Sequence, residues 1–439
     1  MFVTIHRGSN EIGGTCVELR SGESRIVLDV GMPLVRPNGG EFDMRVYKGL
    51  SGKELVERGV LPPVEGLYEW ETPLVDGVLI SHAHQDHYGF LGHVHPEVPI
   101  YLSEGTQKLI EITSDFTPND YTLRNTRRFV WRSNVDVGAF RVTPHLVDHS
   151  SFSAFAFEIA AEGKRVFYSG DFRDHGYIGP KALGALYGKV APGVDALLME
   201  GTMLGRDDGR VQTEEELSLA ATELCKQTEK AVLVYQSGQN VTRAVAFYRG
   251  AKRTGRFFVP DIYTAHVLGE LGSCTGGESL PYPGKKGFEN VRAWYPKKLT
   301  EKIKKSGRMA IIRQYQPWEM TKDDMTSDLR KVMLLVRPGM EGDLRKIGGL
   351  EGSILIYSQW EGYREKDWTG DFLESVEKLG VTVHSLHTSG HADVPALQKM
   401  VTTLAPKRLV PIHTFHPGDY ARLFGDGGAQ IETRSAFEL

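Results

Sequence analysis

Three imidazoles and a carboxylate fall within six consecutive residues, His82-Ala-His84-Gln-Asp86-His87, directly after the apolar run Gly77-Val-Leu-Ile80. Such density constrains the fold more than any other feature of the chain, because imidazole nitrogens and carboxylate oxygens are the donors that hold a catalytic zinc ion. A loop leaving a strand can turn His82 and His84 toward one ion and Asp86 and His87 toward its neighbour. The alternative is a set of surface histidines with no shared partner.

Two ions need further ligands, and open α/β sheets place their sites at the carboxyl ends of strands. Candidates stand where apolar runs end: His149 after the run from Arg141 to Asp148, Asp171 after Arg165-Val-Phe-Tyr168, Glu200 after Ala196-Leu-Leu-Met199, and His413 after Leu409-Val-Pro-Ile412. His391 follows Val383-His-Ser-Leu-His-Thr-Ser-Gly390 in the same way. Each alone could be a hydrogen-bonded structural residue; together they fit one site. His145 competes with His149 for this role, and the residues alone leave the choice open. The three cysteines, Cys16, Cys225 and Cys274, are odd in number and far apart, which excludes a disulfide framework and a Cys-rich zinc site. They read as buried small apolar residues.

The 439 residues are 40% hydrophobic and 25% charged, enough to bury a large core and too long for one ordinary domain. No apolar run reaches the roughly 18 residues that cross a bilayer, and the N-terminus lacks the layout of a signal peptide, so the expectation is a cytoplasmic protein with no membrane partner. From Phe2 to Gly31, three β-rich runs separated by Gly and Ser predict antiparallel strands. From about Asp76 onward, short apolar runs alternate with helical stretches, the signature of sheets covered by helices. Thr213 and Glu216 predict a capping box at the head of one helix, and Asn240 to Gly255 bracket another. Net charge is −4, yet residues 206–352 carry 25 Lys and Arg against 19 Asp and Glu. Within that block Lys285, Lys286, Arg292, Lys297, Lys298, Lys302, Lys304, Lys305 and Arg308 accompany Phe288, Trp294 and Tyr295, a mix suited to phosphates and stacked bases, or simply a solvated lysine face.

The order His82-x-His84-x-Asp86-His87, His149, Asp171 and His413 resembles the metallo-β-lactamase fold in its β-CASP nuclease branch, ribonuclease J-like and lacking that group's additional C-terminal domain. The flanks resemble it too: Glu11-Ile-Gly-Gly-Thr15, Leu28-Asp29-Val-Gly31, Gly170-Asp171, Glu200-Gly-Thr202, Ser389-Gly-His391 and Pro411-Ile-His413. Tyr235-Gln-Ser237-Gly-Gln-Asn240-Val-Thr-Arg243 resembles the segment that opens the inserted domain's first helices. The resemblance implies an α/β fold: a metallo-β-lactamase αββα sandwich, residues 1–205 and 353–439, interrupted by an α/β β-CASP domain, residues 206–352.

It further implies two Zn2+ ions, or Mn2+ in their place. His82, His84 and His149 would hold one, Asp86, His87 and His413 the other, with Asp171 bridging. His391, positioned by Glu200, would be the general acid, with Asp86 in the catalytic set. Ser389, Gly390, His387, Ser237, Asn240 and Arg243 would contact a substrate phosphate, although the spacing Ser237-Gly-Gln-Asn240 departs from the simple Ser-Asn pattern. The implied activity is hydrolysis of RNA phosphodiester bonds, 5′-to-3′ exonucleolytic with endonucleolytic cutting also open, in RNA processing or decay. Single-stranded RNA is the expected partner, with DNA and a homo-oligomeric state left open. A small-molecule hydrolase would share His82 to His87 but would need neither the basic insertion nor the late pair His391 and His413. A non-catalytic RNA scaffold is disfavoured because every ligand type is present.

Overall fold

The computed structural model describes residues 1–36, 40–117, 123–206, 211–425, 429–432 and 434–439. The chain folds as two compact units, one made of residues 1–211 and 390–439, the other of residues 212–389.

In the first unit the sequence alternates apolar and polar residues or runs apolar throughout, and two seven-stranded sheets result. The first sheet starts from the predicted antiparallel strands Phe2–Arg7, Cys16–Ser21 and Ser24–Leu28, then adds Gly77–Leu79, Ile100–Leu102 and Thr126–Arg128 in parallel. The second runs Gln430–Ile431, Arg408–Ile412, Ala196–Glu200, Lys164–Tyr168, Ala154–Ala161, Phe140–Val147 and Val135–Val137. Period-two alternation divides its side chains. Val166, Tyr168 and Leu198 pack with Val3, Val17, Leu19 and Ile26 of the first sheet, whereas Phe167, Leu197 and Met199 pack outward with Leu183, Leu397 and Met400. Those outer partners lie on helices Gly179–Tyr187 and Val394–Leu404. This is the αββα sandwich expected from the sequence. Each fully buried Leu, Ile or Phe of these layers contributes about 1.5–3 kcal/mol.

Register sets where the chemistry can be. Lys164–Tyr168, Ala196–Glu200 and Arg408–Ile412 are parallel neighbours, and Phe140–Val147 runs the same way because it is antiparallel to Ala154–Ala161, itself antiparallel to Lys164–Tyr168. Their carboxyl ends therefore emerge on one edge, carrying His149, Asp171, Glu200 and His413.

The second unit is a five-stranded parallel sheet in the order Phe257–Val259, Val332–Leu335, Val232–Tyr235, Ile354–Tyr357 and Thr382–Ser385. Thr213 and Glu216 form the capping box of helix Glu214–Lys226, and Asn240 caps helix Val241–Arg253. The boundary expected at residue 352 needs correction. Ile354–Tyr357 pairs with Val232–Tyr235, and Thr382–Ser385 extends the same sheet, so the chain returns to the first unit only at Gly390. Residues 212–389 hold 26 Lys and Arg against 23 Asp and Glu, a weaker basic excess than the 206–352 block suggested.

The expected aromatic and lysine mix also separates on folding. Trp294 is buried, its Nε1 donating to the Leu335 carbonyl, and the Tyr295 hydroxyl donates to the Ile312 carbonyl. Lys297, Lys298, Lys304 and Lys305 remain exposed on helix Lys297–Lys305, whose buried residue is Ile303. No helix among the described residues is long and apolar enough to cross a membrane.

Candidate metal centre

The loop after Gly77–Leu79 begins the site. Ser81 N–H and Ser81 Oγ both donate to the carboxylate of Asp29, at 2.8 and 2.7 Å, which fixes the loop as it leaves the sheet. His84 then stands at the head of the short helix Gln85–Tyr88, so that Asp86 and His87 follow on its first turn. His413 ends its strand at a positive φ of 51°, a left-handed conformation that turns the ring back over the strand end.

Seven side chains meet in this unit. His82 Nε2 and His149 Nε2 lie 3.1 and 3.0 Å from His84 Nδ1. Asp86 Oδ2 lies 3.2 Å from His413 Nε2 and 4.0 Å from His87 Nε2. Asp171 lies between the two groups, 3.2 Å from His87 Nε2 and 3.8 Å from His82 Nε2, His149 Nε2 and His413 Nδ1 alike. The donor atoms of His82, His84 and His149 fall within 4.8 Å of one another, as do those of Asp86, His87 and His413.

The ring nitrogen away from the centre is held in four of the five ligand-type histidines. Ser81 Oγ lies 3.0 Å from His82 Nδ1, His87 Nδ1 donates to Asp29 at 2.8 Å, His149 Nδ1 donates to the Gly390 carbonyl at 2.5 Å, and Thr202 Oγ1 lies 2.8 Å from His413 Nδ1. Such outer bonds fix a ring's orientation and leave its other nitrogen for a metal. Gly390 must be glycine at this approach, since a Cβ there would come within 2.5 Å of Ser150 Oγ and 3.3 Å of the His149 ring.

Protonation fits a cation. Burial, and then the neighbouring imidazoles, push His82 well below the ordinary imidazole value. Burial does the same to His149 and takes His84 down to about 4. Burial alone would raise Asp86, but His413 beside it holds the carboxyl well below the carboxylate range. Asp171 is likewise held down against burial by His413, His87 and His391. Three neutral imidazoles thus direct lone pairs at one point beside two ionised carboxylates. Both Asp171 oxygens and His87 Nε2 are buried and accept or donate no hydrogen bond. Burial would lower His87, yet the Asp171 and Asp29 carboxylates raise it well above the ordinary imidazole value, which makes His87 Nε2, 3.2 Å from Asp171, the cationic partner whose place a divalent ion would take. The donor set therefore suits metal ions.

At the margin, His391 Nδ1 donates to Glu200 Oε2 at 3.0 Å and lies 3.7 Å from Asp171. Burial would lower the His391 pKa, but the Glu200 and Asp171 carboxylates raise it above the ordinary value. Glu200 is itself fully buried, its Oε1 accepting from Phe172 N–H. His145 lies outside the cluster, 3.6 Å from Glu158.

The expected phosphate contacts in the second unit divide. Ser237 is exposed at the end of its strand. Asn240 Oδ1 accepts from Arg243 N–H as a helix cap. Arg243 is 1% exposed: its Nε and Nη2 donate to Glu214, its Nη1 to Ser358 Oγ, and its Nη2 also to the Thr388 carbonyl. A guanidinium so occupied cannot reach a ligand, so Arg243 is corrected from a phosphate contact to a support, lying also 3.3 Å from His387 Nδ1, while Asn240 has its Oδ1 engaged in the cap.

The comparisons agree with this architecture. Residues 56–235 match the beta-lactamase superfamily domain, and residues 378–418 match the Zn-dependent metallo-hydrolase RNA specificity domain. The second segment carries Gly390, His391 and His413. This chain belongs to the metallo-β-lactamase superfamily, in its β-CASP branch. Among relatives, ribonuclease J of Sinorhizobium meliloti is 23% identical over 376 residues, covering 81% of this chain and 60% of that protein. Ribonuclease J of Helicobacter pylori is 23% identical over 92% of this chain and 55% of that protein. Transcription termination factor FttA of Methanothermobacter thermautotrophicus is 26% identical over 49% of this chain and 34% of that protein. The chain thus spans little more than half the length of the ribonuclease J relatives it matches. A crystal structure of a protein of unknown function from Enterococcus faecalis V583 superposes with a TM-score of 0.78 at 22% identity, covering 100% of this chain and 99% of that one, which shows the fold.

For a β-CASP metallo-β-lactamase site the residue that sequence reasoning left without a role is Asp29. It is fully buried at a positive φ of 57° and accepts from Ser81, His87 and, at 2.6 Å, the Tyr168 hydroxyl. Its signal was a carboxylate inside the apolar run Val27-Leu-Asp-Val30, since an aspartate is almost never fully buried without a partner. Asp29→Asn is expected to weaken metal binding by about 10–100-fold through loss of the His87 orientation. Competition against a chelator measures this, and an unchanged affinity would show that His87 needs no such support.

Proposed function

We propose that this chain is a zinc-dependent ribonuclease, acting 5′ to 3′ as an exonuclease with internal cutting as a second mode, in RNA processing or decay. The observation that carries the reading is the buried Asp171 carboxylate, without a hydrogen bond, between two ligand groups and 3.7 Å from His391. The matched RNA specificity segment and the ribonuclease J relatives support RNA as the substrate.

His82, His84 and His149 would hold one zinc, or manganese, and Asp86, His87 and His413 the other, with Asp171 shared. Held there, such ions would supply Lewis acidity for hydrolysis of a phosphodiester. The chain's own residues then supply the rest. Glu200 holds His391 through Nδ1, which leaves Nε2 to deliver a proton to the departing sugar oxygen. Candidate donors to a terminal phosphate are, taken unit by unit, the Gly390 N–H of the first and Ser389, Ser237 and His387 of the second. A grip on that end would make processing from the 5′ end the natural mode.

The test is incubation with zinc or manganese of internally labelled single-stranded RNA carrying a 5′-monophosphate, 5′-hydroxyl or 5′-triphosphate, with Asp86→Ala/His87→Ala protein as the control. Mononucleotides released early, and preferentially from the monophosphate RNA, are the expected products. Internal fragments independent of the 5′ end would replace the exonuclease reading with an endonuclease. Cutting confined to DNA, or no cutting of any RNA, would overturn the ribonuclease reading.

A further inference from the structure

The loop that leaves strand Ile354–Tyr357 carries Trp360 and Tyr363, and the helix it leads into, Asp367–Glu377, carries Trp368 in its first turn; the three are 46%, 41% and 54% exposed. Three exposed aromatic rings within nine residues are unusual on a soluble surface, where indoles are mostly buried. The Trp360 ring lies over Gly362, where a Cβ would come within 2.4 Å of it, and the Tyr357 hydroxyl donates to the Trp360 carbonyl at 3.1 Å. Arg364 Nη1 ties the turn down through Glu361 at 2.8 Å and Ser385 Oγ at 3.0 Å. The Trp360 and Tyr363 rings meet edge to face at 5.4 Å, and Lys366 Nζ lies 5.0 Å from the Tyr363 ring and 4.9 Å from the Trp368 ring.

Location narrows what these rings are for. Val232–Tyr235, Ile354–Tyr357 and Thr382–Ser385 are parallel, so the loops 236–240, 358–366 and 386–389 leave the same edge of the sheet. Ligands of parallel α/β sheets bind at that edge. Arg243 bridges these loops through Ser358 and Thr388, which places the aromatic loop beside the Ser237 and His387 loops. The exposed lysines of helix Lys297–Lys305 start from the same edge, since Lys297 N–H donates to Asp343, on the helix that follows strand Val332–Leu335.

We propose that Trp360, Tyr363 and Trp368 form a base-stacking platform for single-stranded RNA on the ligand edge of the 212–389 unit, a claim that rests on the ribonuclease reading above. Flat aromatic faces bind bases without regard to sequence, whereas cations along a groove track phosphates. The platform segment itself carries Glu361, Glu365 and Asp367 against Arg364 and Lys366, so its contribution is stacking. Neutralisation of the phosphates falls to the lysine helix.

Binding of a 3′-labelled oligouridylate of about 20 nucleotides to the full chain, followed by anisotropy in EDTA to prevent cutting, tests this at salt from about 50 to 200 mM. Trp360→Ala and Trp368→Ala are each expected to weaken binding about tenfold without changing the slope of log K against log salt, and Trp360→Phe to keep most of the affinity. In wild-type protein, 4-thiouridine in the oligomer should cross-link to the peptide spanning residues 358–368. Unchanged affinity in the Ala variants, a reduced salt slope, or cross-links confined to other peptides would overturn the platform. So would smaller assemblies of the Ala variants in sedimentation, which would make the patch a protein interface. Wild-type protein that cleaves RNA while the Trp variants bind normally sinks the platform alone; wild-type protein that neither binds nor cleaves RNA sinks the ribonuclease reading with it.

Discussion

Asp171→Ala is expected to abolish hydrolysis, with kcat lower by about 10⁴-fold or more, and to leave the protein unable to retain two metal equivalents. The reason is geometric. Asp171 is the carboxylate that both ligand groups share, at 3.2 Å from His87 and 3.8 Å from His82, His149 and His413. Without it, three neutral imidazoles remain on one side and a single carboxylate, Asp86, on the other, too little negative charge to hold two divalent ions close together. Metal analysis after gel filtration gives the stoichiometry. The rise in unfolding temperature on adding zinc gives a second readout that does not depend on turnover, because a ligand that binds only the folded chain stabilises it by RT ln(1 + [L]/Kd). Wild-type protein should show a large rise and the variant a small one. Two equivalents retained by Asp171→Ala would remove Asp171 from the bridging position.

His391→Ala has the opposite pattern: full metal content with turnover reduced by about 10²–10⁴-fold. His391 sits outside the two proposed ligand triads, although its donor atom falls within 4.8 Å of those of Asp171, Glu200 and His413; it donates through Nδ1 to the buried Glu200 and is partly exposed, with 22% of its side chain accessible. A proton donor matters only when the leaving oxygen needs a proton. Cleavage of an aryl phosphodiester, whose phenolate departs unprotonated, should therefore fall much less than cleavage of RNA. Glu200→Gln should follow His391→Ala in part, because the neutral amide still accepts from Nδ1 but no longer raises the His391 pKa. Metal lost in step with activity, or equal losses on both substrates, would make His391 a ligand or a structural residue.

The metal motif and the strand ends were readable because they are local. The proposed ligands His82, His84, Asp86 and His87 fall within six residues, and a His or Asp directly after an apolar run marks the end of a strand wherever that strand is placed. The capping box of Thr213 and Glu216 and the cap at Asn240 are equally local, each set by side-chain to backbone bonds three residues apart. The domain boundary was not readable in that way. Ile354–Tyr357 is a short run of fully buried residues, and such a run reads alike in either sheet; its partner, Val232–Tyr235, lies more than a hundred residues earlier. Arg243 misled for a related reason, since a positive residue beside a Ser and an Asn suggests a phosphate until Glu214, Ser358 and Thr388 are seen around it.

The sequence by itself determined the donor types, their order and the α/β class, because residue chemistry and hydrophobic period are properties of neighbours along the chain. Only the tertiary structure decided which nitrogen of each imidazole faces the centre, that Asp29 and Thr202 hold His87 and His413, and that three aromatic rings stand exposed at the ligand edge of the 212–389 unit. Those outcomes depend on parallel strands from distant parts of the chain ending on one edge, and long-range register is set by packing rather than by any local run of residues.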